Sequence, residues 1–404
     1  MMTLLAILAG SAAYAQNAMI TGTVLDQDGN PMPKAHISIA RPYQHNTIAT
    51  VEAAEDGSYI IPTAERGFVL LRYHGVDHEP FTVGTLLSDT TQAGINVRLR
   101  PYAYLENLDS VRIVGDFNGY SYDNAPLMTK DSAGIYSIVL TTSAKSLTYQ
   151  LLGVTASGAV NAPGAESYVF DGVEGYRSVV HRRNGSLTIV FDPAQLARTD
   201  AKAEAVLSDS TMQRIADLHA DITRRRETYQ EALVQNRLAG KSLSSFSYSW
   251  KKDLSRLAGR IEQEQDSLVR QMLMLSYLDL GTLGGAADLQ PAIARQALES
   301  LPPSSPLWSL NPRLIMLAME RTGEPDSVYQ DYLARVIDEH TDPNVASTLL
   351  YDGLTVAYTN KESERAHTYY ERLTRDYGSS RYAAMARVQF AMGRSEGMNA
   401  NTHP

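Results

Sequence analysis

The sequence predicts a multidomain protein in which two N-terminal antiparallel β-sandwiches precede an all-α domain of helical hairpins. Residues 17–100 and 101–195 contain short segments of alternating apolar and polar residues, separated by turn signals such as Asp28-Gly29. Over residues 200–395, apolar residues instead recur every three or four positions, which is typical of amphipathic helices. The chain has 404 residues, enough for several domains of about 100–200 residues each.

The composition excludes several classes of function. Lys and Arg number 36 against 45 Asp and Glu, so the net charge is −9, and a nucleic-acid partner normally requires a basic face. The chain has no cysteine, which excludes a disulfide, a thiolate nucleophile and a cysteine-based zinc site within it. No apolar run reaches the roughly 18 residues of a membrane-spanning helix. We therefore expect no nucleic-acid partner and no membrane span.

The first residues have the pattern of a secretory signal. An apolar run over residues 4–9 is followed by Ala13-Tyr14-Ala15, which matches the A-x-A cleavage site of signal peptides. We expect a signal peptide at residues 1–15 that is cleaved after Ala15. The next residue is Gln16 rather than Cys, so no lipid anchor is expected there. The prediction is a secreted or periplasmic protein.

Residues 17–100 contain the first predicted sandwich, whose opening strand alternates over Ile20–Leu25. Three stretches carry a family pattern, namely Gly22-Thr23-Val24, Asp28-Gly29-x-Pro31-x-Pro33-x-Ala35 and Asp56-Gly57-Ser58-Tyr59. In this order they resemble the carboxypeptidase regulatory-like (transthyretin-like) domain. The resemblance implies a structural or docking module at the start of an exported protein.

Residues 101–195 contain the second predicted sandwich. Its distinctive stretches are Gly115-Asp116-Phe117-Asn118-Gly119-Tyr120, Pro126-Leu127, Gly134-Ile135-Tyr136 and Tyr149-Gln150-Leu151-Leu152. They resemble the glycogen-binding module of AMP-activated protein kinase β subunits, which is an immunoglobulin-like early-set domain. The resemblance implies a glycan site in which sugars stack on aromatic rings.

Three residues correspond to glycan-contacting positions of that family. Tyr120 stands where the family usually has a stacking Trp, Gln150 where it has a Lys, and Arg177 lies near its late Asn. Asn118 belongs to the turn beside Tyr120, and the family's second Trp has no aromatic counterpart around residues 153–158. We take Asn118, Tyr120, Gln150 and Arg177 as the candidate ligand-binding residues. An α-glucan, another glycan or protein surface, and a purely structural module all remain open.

The helical part has amphipathic segments, among them Trp250–Tyr277. One segment has the pattern Ala366-x-x-Tyr369-Tyr370-Glu371-Arg372-Leu373-x-x-Asp376-Tyr377-x-x-Ser380-x-Tyr382-Ala383. It resembles one tetratricopeptide-type helical hairpin. Because such arrays usually bind protein segments in a groove, we expect a protein partner for the helical region.

The sequence shows no motif for catalysis. G-x-S-x-G, H-E-x-x-H, the Walker loop and a G-x-G-x-x-G after a strand are all missing, so we expect no catalytic residue, metal or cofactor. The order of the parts resembles the front part of exported thioredoxin-like disulfide reductases of Bacteroidetes-type bacteria, in which a C-x-x-C domain comes last.

Three hypotheses for function follow from these observations. The first is an exported, non-catalytic adaptor of the bacterial cell envelope. The second is a carbohydrate-binding protein that uses the central domain. The third is the N-terminal part of a periplasmic thiol-disulfide oxidoreductase whose thioredoxin domain is not in this chain.

Overall fold

The structure is a computed structural model. It describes residues 18–42, 47–88, 92–172, 175–183, 185–196, 201–242, 244 and 246–389. The predicted signal peptide at residues 1–15 lies outside these ranges. Sheets fill the N-terminal region and helices fill the C-terminal region, so this division of the chain is confirmed.

The strands are β1 Ala18–Leu25, β2 His36–Ala40, β3 Thr47–Glu52, β4 Ser58–Thr63, β5 Gly67–His74, β6 Phe81–Leu87, β7 Gln92–Arg98, β8 Arg112–Gly115, β9 Thr129–Lys130, β10 Tyr136–Leu140, β11 Ser146–Thr155, β12 Gly158–Val160, β13 Ser167–Phe170, β14 Tyr176–His181, β15 Leu187–Phe191 and β16 Glu204–Leu207. Glycines in the left-handed region close tight turns between them, as at Gly29 and Gly57.

Two four-stranded sheets, which we call the first sheet pair, share one apolar core. Their strand orders are β3-β2-β5-β6 and β16-β7-β1-β4. Buried side chains from both sheets meet in this core, including Ile37 and Leu71 from one and Ile20 and Val97 from the other. Strands β1 and β7 run parallel, whereas the other neighbouring strands of the pair are antiparallel.

A second sheet pair encloses a separate core. One sheet has the order β15-β10-β9, and the other has the order β12-β11-β14-β13. Strand β8 belongs to the second of these sheets and pairs antiparallel with β11. Tyr136 and Phe191 from the first of these sheets meet Tyr149 and Leu151 from the other in the core. The second sheet pair therefore has its own apolar interior.

Strand β16 differs from the sequence prediction, because helix was expected from residue 200 onward. Residues Glu204–Leu207 instead pair antiparallel with β7, at the edge of the first sheet pair. Ala205 and Leu207 face its core, while Val206 between them is exposed. This alternation suits a strand, and the edge of β7 supplies the backbone partners that the sequence does not reveal.

The helices are α1 Ser210–Leu238, α2 Lys251–Gln263, α3 Ser267–Leu280, α4 Pro291–Ser300, α5 Arg313–Thr322, α6 Gln330–Glu339, α7 Pro343–Thr359 and α8 Ser363–Asp376, with a further helix, α9, over residues 381–389. The single helix expected over Trp250–Tyr277 is wrong, because α2 ends at Gln263. Asp266 then starts α3 by accepting hydrogen bonds from the amides of Leu268 at 3.0 Å and Val269 at 3.2 Å. Within the described residues, none of the helices combines the length and the apolar character that crossing a membrane requires.

The helical region packs on the outer face of the sheet that contains β5 and β6. Phe68 belongs to the apolar core of the helices, while its neighbour Val69 points into the first sheet pair. The amide of Phe68 donates a 2.6 Å hydrogen bond to Ser309 Oγ, which in turn donates to the carbonyl of Pro306. Since β-strand side chains alternate between faces, Leu70 and Arg72 also point toward the helices.

Candidate functional site

The turn after β8 holds the first candidate residue, Asn118. A short 3-10 helix spans Asp116–Asn118, and Gly119 and Tyr120 follow with φ of 61° and 59°. Asn118 Oδ1 accepts from the amide of Gly115 at 3.0 Å, and its Nδ2 donates to the carbonyl of Ser121 at 2.9 Å. The Asn118 side chain therefore holds the turn together.

Tyr120 lies against the strand β11 and is covered by an arginine. Its hydroxyl shares a hydrogen bond with Thr148 Oγ1, and the Arg177 guanidinium carbon lies 4.1 Å from the ring centroid. Burial raises the pKa of the Tyr120 phenol. The ring that a sugar would stack on thus already has a cation on one face.

Gln150 and Arg177 are also engaged within the protein. Gln150 Nε2 donates to the carbonyl of Tyr176 at 3.3 Å, and Arg177 Nη2 lies 3.5 Å from Asp171 Oδ2. Gln150 is two residues from Thr148 on β11, so both side chains point to the same face of the sheet. The structure therefore brings Tyr120, Gln150 and Arg177 to one surface, with Asn118 in the adjoining turn.

This surface is built mainly from contacts within the chain. The amide of Asn118 is taken up by the turn, and one face of Tyr120 is taken up by Arg177. A glycan would have to stack on the other face of the Tyr120 ring. It would also have to use hydrogen-bonding positions that these internal contacts leave unoccupied. Among the described residues, no group of three or more His, Asp or Glu side chains could hold a metal ion.

The helical region contains a groove that the sequence did not locate. It lies between α5, α6 and α7 and has a volume of about 530 Å³. Its apolar lining comes from Met316, Leu317, Met319, Leu333 and Val356. Arg313 and Arg365 also line it. Helical spacing predicts that these residues form apolar stripes, but only the packing of the three helices shows that they border a groove, where Val356 is 47% exposed.

Comparisons with known proteins do not assign this chain to a family. No family model matches the chain, and no curated protein matches it. Among solved structures, catechol 1,2-dioxygenase from Acinetobacter sp. ADP1 is similar at 12% identity and a TM-score of 0.18, over 23% of this chain and 55% of that one. This chain thus spans about half the length of the dioxygenase.

Two other solved structures are similar over more of their length. A putative carbohydrate binding protein from Bacteroides uniformis shares 13% identity over 48% of this chain and 92% of that one, with a TM-score of 0.18. The shaft pilin SpaA from Lactobacillus rhamnosus GG shares 10% identity over 48% of this chain and 87% of that one, with a TM-score of 0.19. Similarities of this size carry no argument about function.

Proposed function

We propose that this chain is an exported, non-catalytic adaptor of the bacterial cell envelope whose helical region binds an apolar segment of a protein partner. The observation that carries the proposal is the groove of about 530 Å³ between α5, α6 and α7. Concave sites between helices commonly accept a segment of another protein through apolar anchor side chains.

The floor of the groove suits apolar side chains of varied shape. Met316 and Met319 line it, and methionine adapts to differently shaped partners because its side chain is unbranched and polarizable. Val356 on α7 is 47% exposed, although it borders an apolar surface. An apolar concave surface open to water favours the binding of a partner that covers it.

The charges around the groove are paired within the chain. Arg313 donates to both carboxylate oxygens of Asp352, at 2.8 and 3.0 Å, and Arg365 donates to Glu362 at 3.1 Å. Because these guanidinium groups already have carboxylate partners, they do not select a charged ligand. The groove therefore favours a segment whose anchors are apolar.

The β region supplies the rigid base in this proposal. We infer that the two sheet pairs are two immunoglobulin-like sandwiches, a view supported by their separate cores. Several contacts tie the second pair to the first; for example, the ring of Phe170 stacks on His36 at 4.1 Å, and the hydroxyl of Tyr176 bonds with His36 Nδ1 at 2.7 Å. Export through the signal peptide completes the proposed role.

Site-specific photo-crosslinking tests the groove in living cells. A benzophenone amino acid replaces Val356, and the control position is Leu238, an exposed residue at the end of α1. We expect one discrete adduct from position 356 and none from position 238 in the bacterium that carries the gene. Equal adducts from both positions, or no adduct from 356, would argue against the groove.

The partner found in this way is then titrated against two matched variants by calorimetry. Val356→Glu places a carboxylate in the apolar groove, and we expect at least a tenfold loss of affinity because an unpaired charge is costly to desolvate. Leu238→Glu should bind like the wild type. Wild-type affinity in Val356→Glu would refute the proposed binding mode.

A gel-retardation assay tests the glycan alternative. Gels that contain amylopectin, glycogen or peptidoglycan are run with the wild type and with Tyr120→Ala. The adaptor proposal predicts equal mobility of both proteins, because Tyr120 is engaged by Thr148 and Arg177. Retardation of the wild type that Tyr120→Ala abolishes would assign a glycan to the central domain instead.

A further inference from the structure

A cavity lies where the helical region meets the first sheet pair, apart from the groove described above. It has a volume of about 260 Å³ and is bounded by β5, β6, α1 and α3. Leu70, Ile222, Met272 and Leu310 form much of its wall. Typical pockets for larger ligands measure about 300–1,000 Å³, so this cavity suits a smaller molecule.

Arg72 gives the cavity an uncompensated positive charge. It lines the cavity from β5, and among the residues that the structure describes no carboxylate forms an ion pair or hydrogen bond with its guanidinium group. A cation beside apolar walls normally has a partner, because desolvating an unpaired charge is costly. An anion would balance this charge.

The other ionisable groups of the cavity do not supply that anion. Asp279 is bound by Arg226, whose Nε donates to Oδ2 at 3.0 Å, and it also accepts from Asn311 Nδ2 at 3.3 Å. His219 contributes no charge at neutral pH, because burial lowers the pKa of its imidazole to about 4. Because the charges of Arg226 and Asp279 cancel, the net positive charge of the cavity lining comes from Arg72.

A buried hydroxyl adds a second polar contact. Ser276 on α3 lines the cavity, and its Oγ is buried without a hydrogen-bond partner among the described residues. Buried hydroxyl groups are usually paired. Arg72 and Ser276 thus add polar groups beside the apolar part of the wall, which Leu70, Ile222, Met272 and Leu310 form.

We propose that this cavity binds a small carboxylate with an apolar body, whose carboxylate pairs with Arg72 and whose hydrocarbon part packs on Leu70, Ile222 and Met272. A guanidinium group offers two parallel donors that match the two oxygens of a carboxylate. The apolar walls disfavour inorganic anions, which would leave that surface uncovered.

Calorimetry on the full chain tests the proposal with three probes, sodium hexanoate, octanoate and phenylacetate, and with hexan-1-ol as the neutral match of hexanoate. We expect at least one carboxylate to bind the wild type. Arg72→Gln should weaken that binding by about 10–100-fold, as expected for a hydrogen bond to a charged group. The control Arg98→Gln, at an exposed arginine paired with Glu204, should bind like the wild type.

A second variant keeps the test valid if Arg72→Gln fails to fold. Thr223→Trp fills the cavity from α1 and leaves Arg72 in place, so it should abolish carboxylate binding while circular dichroism shows a folded protein. Absence of binding by all three carboxylates, equal binding of hexanoate and hexan-1-ol, or unchanged affinity in a folded Arg72→Gln would each overturn the proposal. None of these outcomes concerns the groove between α5, α6 and α7.

Discussion

Tyr120 has a left-handed backbone with φ of 59°, a conformation that tyrosine rarely adopts. The strain of about 1–2 kcal/mol is offset by its hydrogen bond to Thr148 and by the contact with Arg177. Asn118 and Gly119 build the turn that imposes this conformation. Asn118, Gly119 and Tyr120 therefore have a structural role in this turn, and that role explains their presence without a bound glycan.

Asp77 is a partly buried carboxylate where the two sheet pairs meet. Asn161 Nδ2 donates to its carboxylate, and the hydroxyl of Tyr102 donates to Asn161 Oδ1 at 3.3 Å. Burial raises the pKa of the Asp77 carboxyl from 3.8 to about 6. The folded state thus favours the protonated carboxyl of Asp77. The contribution of this group to the stability of the protein is complete below pH 3.8 and is lost as the pH rises through about 6.

Asp77→Asn removes this titration and suits the local backbone, because asparagine tolerates the φ of 62° observed there. We expect the variant to match the wild type near pH 4 and to gain up to about 3 kcal/mol over it at pH 7.5, at about 1.4 kcal/mol per pH unit. Urea unfolding at both pH values measures the difference. Asp28→Asn, at an exposed turn, is the control, and a stability difference that does not change with pH would contradict the assignment.

At the scale of elements, the start of β5 connects the sheets to the helices. Gly67 has φ of 88°, and a Cβ added there would lie 2.4 Å from Ser309 Oγ. Ser309 is the acceptor for the amide of Phe68, so moving it would leave that buried donor unpaired. Gly29 has a similar φ of 84° but nothing within 4 Å of the same added atom.

Gly67→Ala and Gly29→Ala form a matched pair. Both variants take on the strain of a left-handed alanine, and only Gly67→Ala disturbs Ser309. We expect Gly67→Ala to be the more destabilising by about 1–3 kcal/mol, the usual cost of a buried donor without a partner. Chemical denaturation of both variants measures this, and equal losses would show that the contact with Ser309 is energetically neutral.

At the scale of the whole molecule, the first sheet pair is the centre of the structure. The helical region shares a core with Phe68, and β16 returns the chain to this sheet pair after the second one. The second sheet pair is tied to it through smaller contacts, such as those of Phe170 and Tyr176 with His36. We therefore expect the helices to unfold together with the first sheet pair.

The two tryptophans, Trp250 and Trp308, are both buried in the helical core, so their fluorescence reports on that region. Ile37→Ala empties part of the first core and should destabilise it by about 2–5 kcal/mol. We expect it to shift the fluorescence transition to lower urea, whereas Ile189→Ala in the second core should leave that transition in place. The same shift for both variants would mean that all parts unfold as one unit.

Much of the fold was predictable because the signals are local. Alternation and Asp-Gly turns predict strands such as β1, and the change of period predicts the helical region, since both depend on neighbouring residues alone. The strand β16 was missed because its partner, β7, lies far away in sequence. The break before α3 was missed because the capping role of Asp266 depends on a geometry that periodicity does not show.

The candidate sites divide in the same way. The β and α regions, the lack of cysteine and the turn that contains Asn118 and Tyr120 are all evident in the amino-acid sequence. Three features became visible only in the folded chain: Arg177 covers Tyr120, helices enclose the face of Arg72, and α5, α6 and α7 leave a groove open. The physical reason is that the periodicity of an element shows which side chains share a face, whereas the element packed against that face determines whether it is covered, charged or free.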